Sequence, residues 1–287
     1  MKPIFNYALS RMRGGILGWG ISIFLLGAMM VPVFNIMSEE AEQFKQLLDI
    51  YPAEMLAFFG DMAAMDTIEG FLSIEYFSFV PIILGIFMVS AGSGMLISDE
   101  ENGTLDLVAA HPISRTGLFF GRFFALVAAI LLILLIGFFG IYLPTKASEI
   151  PLDTLVLLVP FLSMFAFLLV IGTFALLMSM VLPSRRMAST FAGIVMVADF
   201  FIQGLSELNE NLKPLANYLP FHYYQGGSWV DGLLVNHFYG LVGAALIFMI
   251  VSWGLFLRRD IRVGGEGSWE LPTIGMLKRK LLGSPNS

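Results

Sequence analysis

The chain has 287 residues, of which 57% are hydrophobic and only 13% charged, and its mean hydropathy is +0.81. A soluble domain carries about a quarter charged residues, so this chain has too few polar groups to cover a soluble globule of its size. The net charge is −6, and the absence of cysteine excludes disulfides, thiolate metal sites and thiol nucleophiles. The composition therefore predicts an integral membrane protein.

Six apolar stretches are long enough to cross a bilayer, which requires about 20 helical residues. The fifth stretch is the weakest, because Asp199 and Gln203 lie near its end. We predict an all-α polytopic membrane protein with one transmembrane domain over residues 1–262 and a cytoplasmic tail over residues 263–287. The predicted spans are Ile16–Met37, Phe71–Ile97, Leu118–Leu143, Leu155–Leu182, Ala188–Leu205 and Leu233–Leu257.

The segment before the first span has a helical pattern of its own. In KPIFNYALSRMR, residues Lys2, Asn6 and Arg13 lie largely opposite an apolar face. This pattern fits an amphipathic helix along the inner leaflet or a plain extension of the first span. The first span is too long for a cleaved signal peptide, so we expect a retained helix. The apolar face consists of Ile4, Phe5, Ala8, Leu9 and Met12.

Lysine and arginine give the orientation. With the N-terminus inside, 13 of the 16 basic residues fall in cytoplasmic segments, and the other three are Lys45, Lys146 and Lys213. The positive-inside rule therefore places both termini in the cytoplasm. On the outer side, residues 42–61 show the spacing of two short amphipathic helices. The aromatic-rich residues 209–229 suit the membrane interface.

A charged insert, ISDEENGTLDLVAAHPISR, separates the second and third spans. Residues 98–101 match an S-x-x-E capping pattern, and Thr104 can cap a new helix that Pro112 ends. Ser114 or Thr116 can cap the third span. A helix of about two turns is unstable alone in water, so it must pack on its own spans or in a groove of a partner.

Sequence motifs of catalysis are missing. The chain has no G-x-x-x-x-G-K-[ST], no H-E-x-x-H and no G-x-S-x-G, and it has no basic patch of the kind that binds nucleic acid. The predicted topology keeps His111 away from His222 and His237, so we expect no metal site. The sequence therefore predicts a protein that is not an enzyme.

The insert resembles the first cytoplasmic loop of ABC-2 type transporter permeases, in which acids precede G-T-L-[ED] and a proline precedes [VI]-[ST]-R. The turn at Pro183–Arg186 and the residues Phe256–Ile261 at the end of the sixth span are also similar to that family. The matching positions in the insert are Glu100, Glu101, Gly103, Thr104, Leu105, Asp106, Pro112, Ile113, Ser114 and Arg115.

The resemblance implies that the insert is a coupling helix that docks on an ABC ATPase subunit. It implies that ATP and Mg bind in that partner, that this chain binds no cofactor, and that a second permease copy or a paralogue completes the pore. An exporter of drugs, peptide antibiotics or similar amphipathic or lipid-like compounds in a prokaryotic plasma membrane is expected. Arg115 could pair with an acid on the ATPase or anchor the membrane face.

Two acids lie inside predicted spans, Glu75 in the second and Asp199 in the fifth. A charge at the bilayer centre costs about 2.5–3.5 kcal/mol on insertion scales, so both should face protein or water. With Gln203 they could line a translocation path or form a hinge, or they could hydrogen-bond to neighbouring helices. They also leave open an ion-coupled secondary transporter, which would need no ATPase.

Overall fold

The computed structural model describes residues 1–39, 65–101, 114–206 and 208–258, with the backbone alone at residues 39 and 98–101. Within these ranges the chain is helical and contains no strand. Among the described residues, six helices are long and apolar enough to span a membrane, which confirms the six predicted spans and the fold class. The predicted outer helices at 42–61, the short helix of the insert and the tail at 263–287 lie outside the described residues.

The second span is built from three consecutive segments, since a π-helical turn over Ser73–Phe77 separates two α-helices. Two short 3-10 turns, Glu210–Leu212 and Pro220–Tyr223, lie between the fifth and sixth spans. The α-helices are α1 (Lys2–Glu39), α2 (Ile68–Leu72), α3 (Val80–Glu101), α4 (Arg115–Ala147), α5 (Thr154–Val181), α6 (Arg185–Ser206), α7 (Lys213–Ala216) and α8 (Val235–Arg258).

The amphipathic N-terminal segment forms the first three turns of α1 and is continuous with the first span. At 38 residues, α1 is about 57 Å long. The predicted apolar face is the less exposed one, and Ile4 packs against Gly121 of α4. The structure therefore supports the second interpretation, a plain extension of the first span, because α4 covers the apolar face of this segment.

The ends of the helices next to the insert differ in how well they were predicted. Ser114 caps α4 by accepting a hydrogen bond from the Gly117 amide at 3.1 Å, as predicted. The capping prediction at residues 98–101 is wrong, because α3 runs unbroken through these residues to Glu101. A serine inside a continuing helix has no free amides ahead of it to cap.

The core lies around α5, the most buried span, which packs against α3 and α8, while α1 follows α4. Two crossings bring backbones into direct contact: a Cβ on Gly92 would meet the carbonyl oxygen of Gly172, and a Cβ on Gly140 would meet the backbone of Phe24. Small residues at such crossings allow the close packing that holds helices together in lipid.

The bundle has two ends, which we name for reference. The basal end is where α1 and α4 begin and α3 and α8 end, and a cluster that includes Ile4, Phe119 and Phe256 packs there. The distal end carries the segment Leu219–Leu234, which we call the distal segment. The prediction that its aromatic residues lie at the membrane interface is wrong for Trp229, which is 0% exposed inside the bundle.

Candidate functional site

The predicted coupling insert connects the two helices that end and begin at the basal end. Glu100 and Glu101 form the last residues of α3, and the first residue of α4 is Arg115. Only Ser114 and Arg115 of the predicted docking residues have described side chains. The side chains of Glu100 and Glu101, and all of Gly103, Thr104, Leu105, Asp106 and Pro112, lie outside the described residues.

Arg115 connects the insert to the sixth span. Its Nη1 donates a hydrogen bond to the carbonyl oxygen of Leu257 at 3.3 Å, in the last turn of α8. The carbonyls at the C-terminus of a helix carry partial negative charge, so a guanidinium is favourable there. Arg115 therefore joins the start of α4 to the end of α8.

Two other arginines hold the basal half of α3. Arg122 of α4 is 6% exposed, and its Nη1 donates to the carbonyl oxygen of Met95 at 2.9 Å. Arg185, at the start of α6, donates through Nη2 to the carbonyl and hydroxyl oxygens of Ser90 at 3.3 and 3.4 Å. From the sequence, Arg122 was only a marker of orientation, and Arg185 was in addition part of the family-like turn at Pro183–Arg186. The signal that could have found Arg122 is its position two turns inside an apolar span.

Two adjoining cavities open beside these arginines. One, of about 280 Å³, is lined by Arg11, Arg122 and Arg185 with apolar side chains of α1 and α3. The other, of about 610 Å³, lies between α3 and α6, includes Arg186 and shares Ser90 and Arg185 with the first. A cavity lined by both arginines and apolar side chains suits an amphipathic molecule with an anionic group.

Asp199 and Gln203 lie one turn apart on α6. Asp199 is 1% exposed, and its Oδ2 accepts a hydrogen bond from the amide of Phe221 at 3.0 Å. Its Oδ1 and the Oε1 of Gln203 are buried, and among the described residues no donor reaches either atom. A neutral carboxyl group or an amide at position 199 would avoid burying a negative charge that has only one hydrogen bond.

Glu75 has a different environment from Asp199. It lies on the π-helical turn of the second span with an exposed side chain, whereas Asp199 is enclosed beneath the turn Pro220–Tyr223. The structure thus separates the two acids into an exposed group and a buried group. The neighbours of Glu75, Ser73 and Tyr76, are buried, and each hydroxyl donates a hydrogen bond to a backbone carbonyl.

Histidines meet at the distal end. The ring centroids of His222 and His237 are 6.1 Å apart, and Tyr223 packs against both rings. His111 lies outside the described residues. Across the described ranges, no three His, Cys, Asp or Glu side chains are grouped so that they could hold a metal ion.

The fold and the basal site together define an integral membrane protein whose second and third spans join through a charged insert. The family model described as ABC-2 family transporter protein matches residues 9–261. The chain belongs to this family, and it is therefore a membrane permease of an ABC transporter. Such permeases are generally not catalytic themselves, normally work with an ABC ATPase subunit and often dimerise. No curated protein matches the chain.

Proposed function

We propose that this chain is the permease subunit of an ATP-driven exporter in a prokaryotic plasma membrane. ATP and Mg²⁺ bind in a separate ATPase subunit, and a second permease copy or a paralogue completes the pore. The basal end faces the cytoplasm, where residues 102–113 and their flanks contact the ATPase. Two findings support the proposal: the chain belongs to the ABC-2 family, and hydrogen bonds hold the helices on both sides of the insert.

The observation that carries this proposal is the anchoring of both flanks of the insert. Arg122 ties α4 to α3, Arg185 ties α6 to α3, and Arg115 ties α4 to α8. A partner that pushes on the insert would therefore move four spans, because helices are stiff and these contacts lie within about three turns of the insert. This arrangement supports a switch between inward-open and outward-open states.

The basal cavities support an amphipathic or lipid-like substrate. Their apolar side chains match a hydrocarbon body, and the arginines that line them match an anionic head. The second cavity lies between α3 and α6, so a substrate held there would contact the span that continues into the insert. Drugs, peptide antibiotics and lipids all fall within this chemical class.

Co-purification tests the proposal. The intact chain is purified in mild detergent from native membranes as wild type and as Glu101→Lys/Arg115→Glu, which keeps the net charge. The matched control is Glu210→Lys/Lys213→Glu, which swaps an exposed distal ion pair of 3.4 Å. We expect an ATPase subunit with the wild type and the control, and little or none with the insert variant. A well-folded wild type that never carries an ATPase would contradict the proposal.

The second candidate is an ion-coupled secondary transporter, and the buried Asp199 favours it. In that case Asp199→Asn would abolish proton movement into vesicles that contain the protein and no ATP, while Asp199→Glu would retain it. The exporter predicts no proton movement in any of these samples. A pH-sensitive dye trapped in the vesicles gives the measurement.

A further inference from the structure

The distal end brings together two of the three histidines of the chain. His222 lies in the turn Pro220–Tyr223, and His237 lies in the first turn of α8. Their ring centroids are 6.1 Å apart at an interplanar angle of 41°, so the two imidazoles approach each other without stacking. Both side chains are half-buried, which leaves them accessible from solvent at this end of the bundle.

The backbone on both sides of the pair is held in place. The amide of Phe221 donates to Oδ2 of Asp199 at 3.0 Å, which fixes the turn that carries His222 on α6. His237 belongs to a regular helix of 24 residues. The two imidazoles therefore come from separate elements whose positions do not depend on a ligand.

Tyr223 packs against both imidazoles. Its ring makes a T-shaped contact with His222, with centroids 5.2 Å apart, and another with His237 at 5.1 Å. Its hydroxyl donates to the carbonyl oxygen of Asn217 at 2.9 Å, so the ring is fixed at its far end as well. A fixed aromatic neighbour restricts the rotation of both imidazoles, and this lowers the entropic cost of bringing them onto one ligand.

Two imidazoles suit a late divalent transition-metal ion. Imidazole nitrogen is a good ligand for Zn²⁺, Ni²⁺ and Cu²⁺, whereas Mg²⁺ and Ca²⁺ prefer oxygen. A zinc–nitrogen bond measures about 2.0–2.1 Å, so two imidazoles on one ion have ring centroids about 5–6 Å apart. The observed separation of 6.1 Å is at the upper end of that range, and small rotations of two half-buried side chains close the remainder.

We propose that His222 and His237 form a binding site for a divalent ion with the chemistry of Zn²⁺, Ni²⁺ or Cu²⁺. The bound ion joins the turn Pro220–Tyr223 to the first turn of α8, and water completes its coordination from the solvent side. A metal site was not predicted from the sequence, because the predicted topology keeps His111 away from the other two histidines, but a paired site needs no third histidine. The site requires neither the ATPase nor a particular transported substrate.

Metal titration of the purified full chain tests the site. The protein is purified in detergent through an affinity tag that contains no histidine, treated with a chelator, and titrated with Zn²⁺, Ni²⁺ or Mg²⁺. An ion that binds only the folded state stabilises it, so the midpoint of thermal unfolding reports binding. We expect Zn²⁺ and Ni²⁺ to raise the midpoint by about 3–6 °C near saturation, and Mg²⁺ to leave it unchanged.

Two variants remove the proposed ligands and keep the packing. His222→Phe and His237→Phe each leave an aromatic ring against Tyr223 without an imidazole nitrogen. We expect each to abolish the metal-dependent rise, whereas His111→Phe, the matched change at the third histidine, should retain it. Gel filtration in detergent checks that each variant is folded. A rise that persists in either His222→Phe or His237→Phe, or an equal rise with Mg²⁺, would overturn the site.

Electron paramagnetic resonance of bound Cu²⁺ gives a second measurement that does not depend on stability. With one equivalent of Cu²⁺, the wild type should show the hyperfine pattern of two nitrogen ligands, and His222→Phe and His237→Phe should each lose it. A wild-type pattern from a single nitrogen would place the ion on one histidine and would overturn the paired site.

Discussion

At the scale of single residues, the informative side chains are polar groups enclosed in an apolar bundle. Asp199, Arg122 and Trp229 are each buried, and each donates to or accepts from a different element. Burial of such groups is costly unless they are paired, so removing one partner costs more than the bond contributes. Their replacement should therefore have clear effects on stability.

Asp199 should tolerate asparagine and not leucine. Asp199→Asn keeps an acceptor for the Phe221 amide and removes a carboxyl group that is buried in the bundle. We expect it to retain or raise the melting temperature in detergent, whereas Asp199→Leu leaves the amide unpaired and costs about 1–3 kcal/mol. Equal melting temperatures for the two variants would contradict this account.

Arg122 and Arg186 offer a matched comparison, because one is buried and bonded and the other is exposed. Arg122→Met should lower the stability of the purified protein by about 1.5–3 kcal/mol, since a charged hydrogen bond to α3 is lost. Arg186→Met should change it by less than about 0.5 kcal/mol. Thermal unfolding of both variants compares the two losses of stability. A larger loss for Arg186→Met than for Arg122→Met would contradict the expectation.

At the scale of helices, the spans themselves were predictable because lipid imposes one rule along the chain: about 20 apolar residues in a row must form a helix. Ser114 was predictable as a cap because it directly precedes the third span, and its hydroxyl reaches the Gly117 amide three residues on. The distal segment was not, since tryptophan and tyrosine suit both the membrane interface and a protein interior. Which of these applies to Trp229 depends on Ser73, more than 150 residues away in the chain.

The arginine contacts were unpredictable for a similar reason. Arg122 and Arg185 donate to carbonyls of α3, and any helix offers such carbonyls, so the sequence does not encode which helix is the partner. The acids of the insert could be given a predicted role from the sequence, because they form part of a motif that resembles the family's. The orientation of the bundle and the fold of the insert remain predictions from the sequence.

The crossing of α3 and α5 gives a prediction at this scale. Gly92→Ala places a methyl group against the carbonyl oxygen of Gly172, so the two helices must move apart. We expect a loss of about 1–3 kcal/mol in unfolding free energy, as for an overpacked core. Gly193→Ala, in open space on α6, should be neutral or stabilising, because alanine favours a helix over glycine. Equal effects of both changes would refute the close crossing.

At the scale of the whole molecule, the account requires that the basal end faces the cytoplasm, as the lysine and arginine distribution predicts. Cysteines at the exposed positions Ser10 and Ser228 report the two ends. In intact cells an impermeant maleimide should label Ser228→Cys and leave Ser10→Cys unlabelled until the membrane is permeabilised. The reverse pattern would invert the bundle and remove the insert from the reach of a cytoplasmic ATPase.

If the insert between α3 and α4 docks on an ATPase, site-specific photo-crosslinking from the insert should capture that subunit. A photoreactive amino acid replaces Leu105 in the insert or, as a control at the same end, Ser10 in α1. After illumination of intact cells, the captured chains are identified by mass spectrometry. We expect residue 105, and not residue 10, to capture a chain with a phosphate-binding loop. Capture of no such chain from residue 105, with the permease folded in the membrane, would contradict it.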